Sequence, residues 1–242
     1  MRKFIDFNVD IGEGFANEAK IIPLVSSVNI ACGAHAGDKD IMRYVLRLSK
    51  SNNIRVGAHP SFPDKINFGR IPLGIPINEL RISLISQLEL LKEVALEENV
   101  EINYIKPHGA LYHLACYHKE YAKLLIDLAG EDLQIMGLPN SFLHNQCKFM
   151  GVNFISEGFS DRVYESDGRL RKRSLRNSVI FEKPKVLKQV LGLCRGEVVS
   201  YAGDNIPLNI DSVCFHSDHI GADELIKEVL GEIRKKGIEI RS

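Results

Sequence analysis

The sequence carries no net charge: its 31 lysines and arginines cancel 31 aspartates and glutamates over 242 residues. Without an excess of either sign there is no bulk electrostatic case for nucleic acid or an anionic membrane as partner. No apolar run approaches the roughly 20 residues that cross a bilayer. The opening stretch MRKFIDFNVD reaches aspartate at position 6, too early for a secretory h-region. The five cysteines, at 32, 116, 147, 194 and 214, include no CxxC pair. Reduced thiols and a cytoplasmic location are expected from that pattern. Cys32 has no base beside it in sequence and is expected to pack rather than attack. Two phosphate-binding signatures are missing too, since no GxGxxG turn follows the first strand and there is no GxxxxGK[ST] loop. No linker, repeat or low-complexity tract divides the chain, so residues 1–242 are expected to form a single domain.

What is present is a regular alternation. Short runs rich in Val, Ile and Phe read as buried parallel strands at Phe4–Val9, Ser27–Cys32, Ile54–Ala58, Glu101–Lys106, Leu133–Gly137, Val152–Glu157 and Asp211–Phe215. Amphipathic helices are expected over Asp38–Ser51, Asn78–Glu98 (with Asn78 as N-cap), Lys119–Ala129, Lys183–Cys194 and Ala222–Lys236. Seven β-α alternations indicate an α/β fold, a closed parallel barrel first and an open doubly wound sheet as its rival.

Ionisable residues gather where those strands end. Asn8, Asp10 and Glu13 accompany the first, Asn29, His35 and Asp38 the second, His59, Asp64 and Arg70 the third. Lys106, His108 and Tyr112 accompany the fourth, Glu157, Asp161, Arg162 and Tyr164 the sixth, His216 and Asp218 the seventh. In a parallel barrel all these loops open on one face, so a single catalytic or small-molecule pocket is expected there. His35 and His59 read either as satisfied core histidines or as ligands. With Asp10 they would make a facial site for Zn²⁺ or a similar divalent ion, although no helical His-x₃₋₅-His spacing supports it. Lys106 and Arg162 suit a carboxylate or a phosphorylated group. His113, His118 and His144 are expected to be structural, while His219 either starts the last helix or joins the site. The basic run RLRKRSLR at 169–176 reads as a solvated loop, with anion contact as the alternative.

The series DFNVDIGEG, VNIACGAHAGD, GAHPSFPD with FGR, IKPHGALY, EGFSDRVY and CFHSD resembles the LamB/YcsF family, which is associated with one subunit of bacterial and archaeal 5-oxoprolinase. The resemblance runs in order from residue 6 to about residue 220. It implies a seven-stranded TIM-like barrel related to the glycoside hydrolase and deacetylase superfamily. It also implies ATP-dependent opening of 5-oxo-L-proline (pyroglutamate) to L-glutamate. Two companion subunits resembling allophanate-hydrolase-type carboxyltransferases would take part, handling most of the ATP. Carried over position by position, it offers Asp10, Glu13, His108, Asp161, His216 and Asp218 for catalysis. Asn8, Asn29, Asp38, Asp64, Lys106 and Arg162 are offered for substrate, and the superfamily's Asp-His-His habit places a divalent metal on Asp10, His35 and His59. Ala34, Ser61 and Ser217 depart from the family pattern. Two other readings stay open: a stand-alone metal-dependent deacetylase or amidohydrolase, and a non-catalytic subunit that binds a small carboxylate.

Overall fold

A computed structural model describes residues 3–218 and 221–242, so His219 lies outside the described residues. In chain order the elements are β1 (Phe4–Ile11), α1 (Glu18–Ile21), a 3₁₀ turn (Ile22–Leu24), β2 (Ser27–Ala31), α2 (Lys39–Ser51), β3 (Arg55–His59) and α3 (Ile77–Glu97). Then come β4 (Tyr104–Ile105), α4 (Gly109–Tyr117), α5 (Lys119–Ala129), β5 (Gln134–Gly137), α6 (Phe142–Met150), β6 (Phe154–Phe159) and α7 (Lys183–Arg195). The chain ends with β7 (Glu197–Val199), β8 (Asn205–Pro207), β9 (Ser212–Phe215), α8 (Ala222–Lys235) and β10 (Glu239–Ile240).

Parallel pairing runs β1-β2-β3-β4-β5-β6-β9, and β9 returns to β1 with Asp6 opposite Ser212 and Val9 opposite Phe215. That last pairing closes a seven-stranded barrel and excludes the open sheet. β7 and β8 form a separate antiparallel hairpin, and β10 pairs with the first two residues of β1. Each expected strand overlaps an observed one, and β1, β3 and β6 run one or two residues further than expected. Helices α4 and α6 lie outside the expected set, being only nine residues each. The cap expected at Asn78 is displaced, because α3 begins at Ile77 directly after Pro76. Among the described residues no helix is long and apolar enough to cross a membrane.

In β1 apolar and polar residues alternate, and alternate side chains face opposite sides of a sheet. Phe7, Val9 and Ile11 join the apolar layer shared with the helices. The even positions Asp6, Asn8 and Asp10 instead bond to residues of other barrel strands, so the barrel interior is polar. Asp6 accepts hydrogen bonds from Ser26 Oγ (2.6 Å) and Ser27 Oγ (2.7 Å), and a third from Ser212. Asn8 donates to Ser212 Oγ at 2.7 Å and accepts from Asn29 Nδ2 at 2.8 Å. Tyr104 fills the centre and donates its hydroxyl to Asn29 Oδ1 at 2.7 Å. Gly57 on β3 makes room for that ring, since a methyl group at its α-carbon would overlap the Tyr104 ring atoms. Barrels of this kind usually fill the same space with branched apolar side chains. All five cysteines are buried thiols. Burial pushes the Cys32 thiol up to about 12, which fits packing and not attack.

Candidate active site at the carboxyl ends of the strands

The polar interior continues upward into a cavity of about 590 Å³ at the carboxyl ends of the strands. Its floor is a buried ion cluster. Lys106, just past β4, holds its Nζ 2.8 Å from Asp10 Oδ1 and 2.8 Å from Glu157 Oε1. Asn8 Oδ1 and Cys214 Sγ each lie 3.2 Å from the same ammonium. Burial disfavours the Lys106 charge, but Asp10, Cys214 and Glu157 outweigh it and hold the ammonium well above its ordinary range. Burial likewise opposes the Asp10 carboxylate, yet His59 and Lys106 prevail and hold it well below the usual range. Glu157 is wholly buried; the Lys106 contact is an ion pair by distance, and the Tyr112 hydroxyl lies beside the same carboxylate. Burial and then the Glu157 carboxylate raise the Tyr112 hydroxyl, on the cavity wall, well above its ordinary range.

Beside this floor, three imidazoles and a carboxylate converge. His59 Nδ1 lies 2.7 Å from the Lys106 carbonyl and His108 Nε2 lies 2.9 Å from the Phe68 carbonyl. A carbonyl only accepts, so both of those nitrogens carry hydrogen and the opposite ring nitrogens are bare in the neutral rings. His59 Nε2 and His108 Nδ1 nevertheless face each other at 3.0 Å. Ser61 spends its one hydrogen on the Phe62 carbonyl (2.8 Å), so it accepts from His35 Nδ1 (2.9 Å) and leaves His35 Nε2 bare as well. Glu13 Oε1 stands 3.2 Å from His35 Nε2 and 3.5 Å from His108 Nδ1. Lone pairs aimed at one another need a positive charge between them. Burial and the neighbouring His59 push His35 down to about 3, and burial with His35 and His59 pushes His108 well down, so neither of these two rings supplies it.

The donor atoms of Glu13, His35, His59 and His108 lie within 4.8 Å of one another, a set suited to a divalent ion such as Zn²⁺. This regroups the expected Asp10-His35-His59 trio. Asp10 approaches His59 Nε2 at 3.4 Å but is engaged by Lys106 and by Asn29 Nδ2 (2.8 Å), while His108 and Glu13 complete the imidazole cluster. Glu13 is placed by Glu18, whose carboxylate collects the backbone N–H groups of residues 12, 13, 14 and 15. Burial, then Asp10 and Glu18, raise the Glu13 carboxyl well above its usual range.

Opposite the imidazoles, Asp161 and His216 form a dyad. Both Asp161 oxygens lie within 2.9 Å of His216 Nδ1, which therefore donates, and His216 Nε2 is left as an acceptor. Arg173 Nη2 faces that nitrogen at 3.3 Å.

Of the other expected site residues, Arg162 and Asp218 line the cavity, Asp218 in an ion pair with Arg70 at 3.2 Å. Asn8 and Asn29 lie below it as fully buried scaffold, which corrects their expected contact with substrate. Asp38 is also corrected: it is exposed, and its carboxylate caps α2 by accepting from the Ile41 amide at 2.9 Å. Asp64 closes its own loop by accepting from the amide and side chain of Asn67. His113 and His118, expected to be structural, line the cavity. Glu18, Ser61 and Arg173 were outside the expected site, and each becomes legible only through the partner that the fold brings to it.

The LamB/YcsF family model matches residues 5–242. Over 244 residues, 99% of this chain and 99% of the relative, the sequence is 38% identical to a 5-oxoprolinase subunit from Histophilus somni (strain 129Pt). The fold matches the crystal structure of a lactam utilization protein from Thermus thermophilus with a TM-score of 0.89 and 30% identity, covering 98% of each chain. It also matches the catalytic domain of a peptidoglycan N-acetylglucosamine deacetylase from Eubacterium rectale ATCC 33656, with a TM-score of 0.51 and 10% identity over 99% of this chain and 87% of that one. At that identity the likeness is one of fold.

Proposed function

The chain belongs to the LamB/YcsF family, and on that premise we propose that it is the ring-opening subunit of an ATP-dependent 5-oxoprolinase that works with two companion subunits. The observation that carries the reading is the Asp161–His216 dyad, opening on the same cavity as the Asp10–Lys106 floor. A five-membered lactam is a stable amide. Transfer of a phosphoryl group from ATP to its oxygen, assigned to the companions, would make the ring carbon an imidate-type electrophile. Water then adds to that carbon, the ring C–N bond breaks and the nitrogen takes up a proton. Hydrolysis of the resulting acyl phosphate by a second water releases glutamate and phosphate.

His216 Nε2 is the group placed to take a proton from water and return one to the ring nitrogen, with Asp161 fixing its tautomer as in other acid–base dyads. Glu13, its carboxyl raised well above the usual range by burial, Asp10 and Glu18, is a second proton carrier. Asp10 stays ionised and, with Lys106, fixes the field at the floor of the cavity. A divalent ion held by Glu13, His35, His59 and His108 would supply Lewis-acid polarisation of an oxygen. Glutamate release from 5-oxoproline and ATP, measured with both companions present, tests the assignment. Asp161→Asn and His216→Asn are each expected to lower kcat by about 10²–10⁴-fold. Unchanged turnover in both would remove the dyad from the chemistry.

The imidazole cluster on a deacetylase-like barrel favours a second reading, a stand-alone metal-dependent amidohydrolase. It predicts hydrolysis of a small amide by this chain alone, without ATP.

A further inference from the structure

The basic run at 169–176 does not hang free in solvent. The chain leaving β6 is flanked on both sides by backbone pairing: Ile180 N–H donates to the Asp161 carbonyl at 2.7 Å, Val163 N–H to Ser178 at 3.1 Å and Arg171 N–H to Val163 at 2.8 Å. This strap returns across the cavity and brings Arg169, Lys172 and Arg173 to its wall beside Arg162.

The charges on that wall are unevenly matched. Arg70, Arg169 and Arg171 are paired with Asp218, Asp167 and Glu165. Lys106 is held by two carboxylates and has no charge to spare for an anion, which corrects its expected substrate contact. Arg162 is only 3% exposed and donates to the carbonyls of Ser178 (3.2 Å) and Arg171 (2.6 Å). Those carbonyls satisfy hydrogens without cancelling the charge. Among the described residues no carboxylate lies within salt-bridge distance of Arg162, Lys172 or Arg173. A buried guanidinium without a counter-charge is costly unless a ligand supplies one. A positive field on the wall is felt by its neighbours: burial and then Arg173 bring Arg162 down to about 10 against the opposing pull of Asp161, while burial with Arg162 and Arg173 brings His113 to about 4.

We propose that Arg162, Lys172 and Arg173 form a subsite for a phosphoryl dianion at the rim of the cavity. Three cations without a salt-bridged carboxylate among the described residues exceed what one ligand carboxylate can neutralise, and guanidinium forks match phosphate oxygens. The cavity, about 590 Å³, is of the size that houses drug-sized ligands (roughly 300–1,000 Å³), far more than a small lactam acid fills. Because Arg173 is the donor facing His216 Nε2, an anion that draws Arg173 outward leaves that nitrogen free for proton transfer. The subsite stands on the charge count; equating its ligand with an activated lactam rests on the ring-opening function proposed above.

Binding of inorganic phosphate, ATP and 5-oxoproline to the purified full chain, by calorimetry, tests this in the wild type and in the double variant Lys172→Gln/Arg173→Gln, whose altered side chains are exposed. Each charge-assisted hydrogen bond lost weakens binding by about tenfold or more, so phosphate affinity should fall about a hundredfold while 5-oxoproline affinity stays within about twofold. ATP that competes with phosphate and weakens equally traces the phosphoryl group to nucleotide. ATP that does not compete traces it to phosphorylated substrate or product, and either result supports the subsite. Failure of phosphate to bind the wild type, or equal binding to the variant, overturns it. Phosphate binding without 5-oxoproline binding leaves the subsite standing and refutes the ring-opening function.

Discussion

Replacing Lys106 by methionine keeps the length of the side chain and deletes its charge. In the native protein that ammonium sits 2.8 Å from each of two carboxylates, with Asp10 6% and Glu157 0% exposed. After Lys106→Met, Asp10 retains the Asn29 amide and His59, but Glu157 keeps only the neutral Tyr112 hydroxyl beside it. Removing one partner of a buried ion pair costs about 3–5 kcal/mol, because the other charge is left uncompensated. Against a total stability of about 5–15 kcal/mol that is a large fraction, and for a chain of this size it lowers Tm by about 6–20 °C. The sign with pH follows from Asp10. Its carboxyl is held low in the folded state, so it contributes stability above its unfolded value, near 3.9, and loses it as pH falls through the folded value. In the variant the ammonium holding it low is gone, so protonation on acidification relieves the unpaired charge. The gap between variant and wild type should therefore narrow between about pH 7 and about pH 4, near the unfolded carboxylate value. Urea unfolding followed by circular dichroism at both values measures it, and adding Glu157→Gln to the variant should recover about 1 kcal/mol or more through removal of the second charge. A loss under about 1 kcal/mol that is the same at both pH values would refute the view that Lys106 compensates this pair.

Gly57→Ala forces a methyl group into the Tyr104 ring and should cost at least about 1–3 kcal/mol; an unchanged Tm would mean that β3 and Tyr104 are less tightly opposed than the geometry gives. His59→Ala should abolish binding of a divalent ion, read by elemental analysis of the purified chain, whereas metal retained at wild-type level would remove His59 from the ligand set. Ser61→Ala leaves His35 Nδ1 without its acceptor and should weaken metal affinity by about 10–100-fold, the usual effect of losing a group that orients a ligand; unaltered affinity would show that the hydroxyl does not fix the tautomer.

The strand-end residues were legible in sequence because a parallel barrel sends every βα loop to one face, whatever the loops contain. The alternation in FIDFNVDI was equally legible, but its sense was not. Apolar residues on a strand are ordinarily taken to face the inside, yet here Phe7 and Val9 face the helices while Asp6, Asn8 and Asp10 face the lumen. Only closure of the barrel through β9 turns those polar residues inward. His108 was placed among the catalytic residues and not with His35 and His59, because nothing in IKPHGALY shows that the ring will lie flat on His35 with centroids 3.9 Å apart. Asp38 was misassigned for the opposite reason: a carboxylate after a strand is also the residue that starts the next helix, and the cap took it.

The polar lumen explains how so many charges are held in one orientation. Ser212 links Asp6 to Asn8, Asn8 meets Asn29 and Lys106, and Asn29 reaches Asp10, so each donor has its acceptor from the barrel base to the cavity floor. An apolar lumen could have packed as densely, but it would have left Asp10 and Lys106 to orient themselves. In a low-dielectric interior a connected network is stiff, because each member that turns away leaves a partner unsatisfied. The interior hydrogen bonds therefore act on the chemistry through geometry: they spend folding stability to keep the cavity floor fixed. The bare nitrogens of His35, His59 and His108 are fixed the same way, by acceptors behind them that cannot donate. Preorganisation of this kind places the cost of ordering charged groups in folding and not in the reaction, which is the condition for electrostatic stabilisation of a transition state.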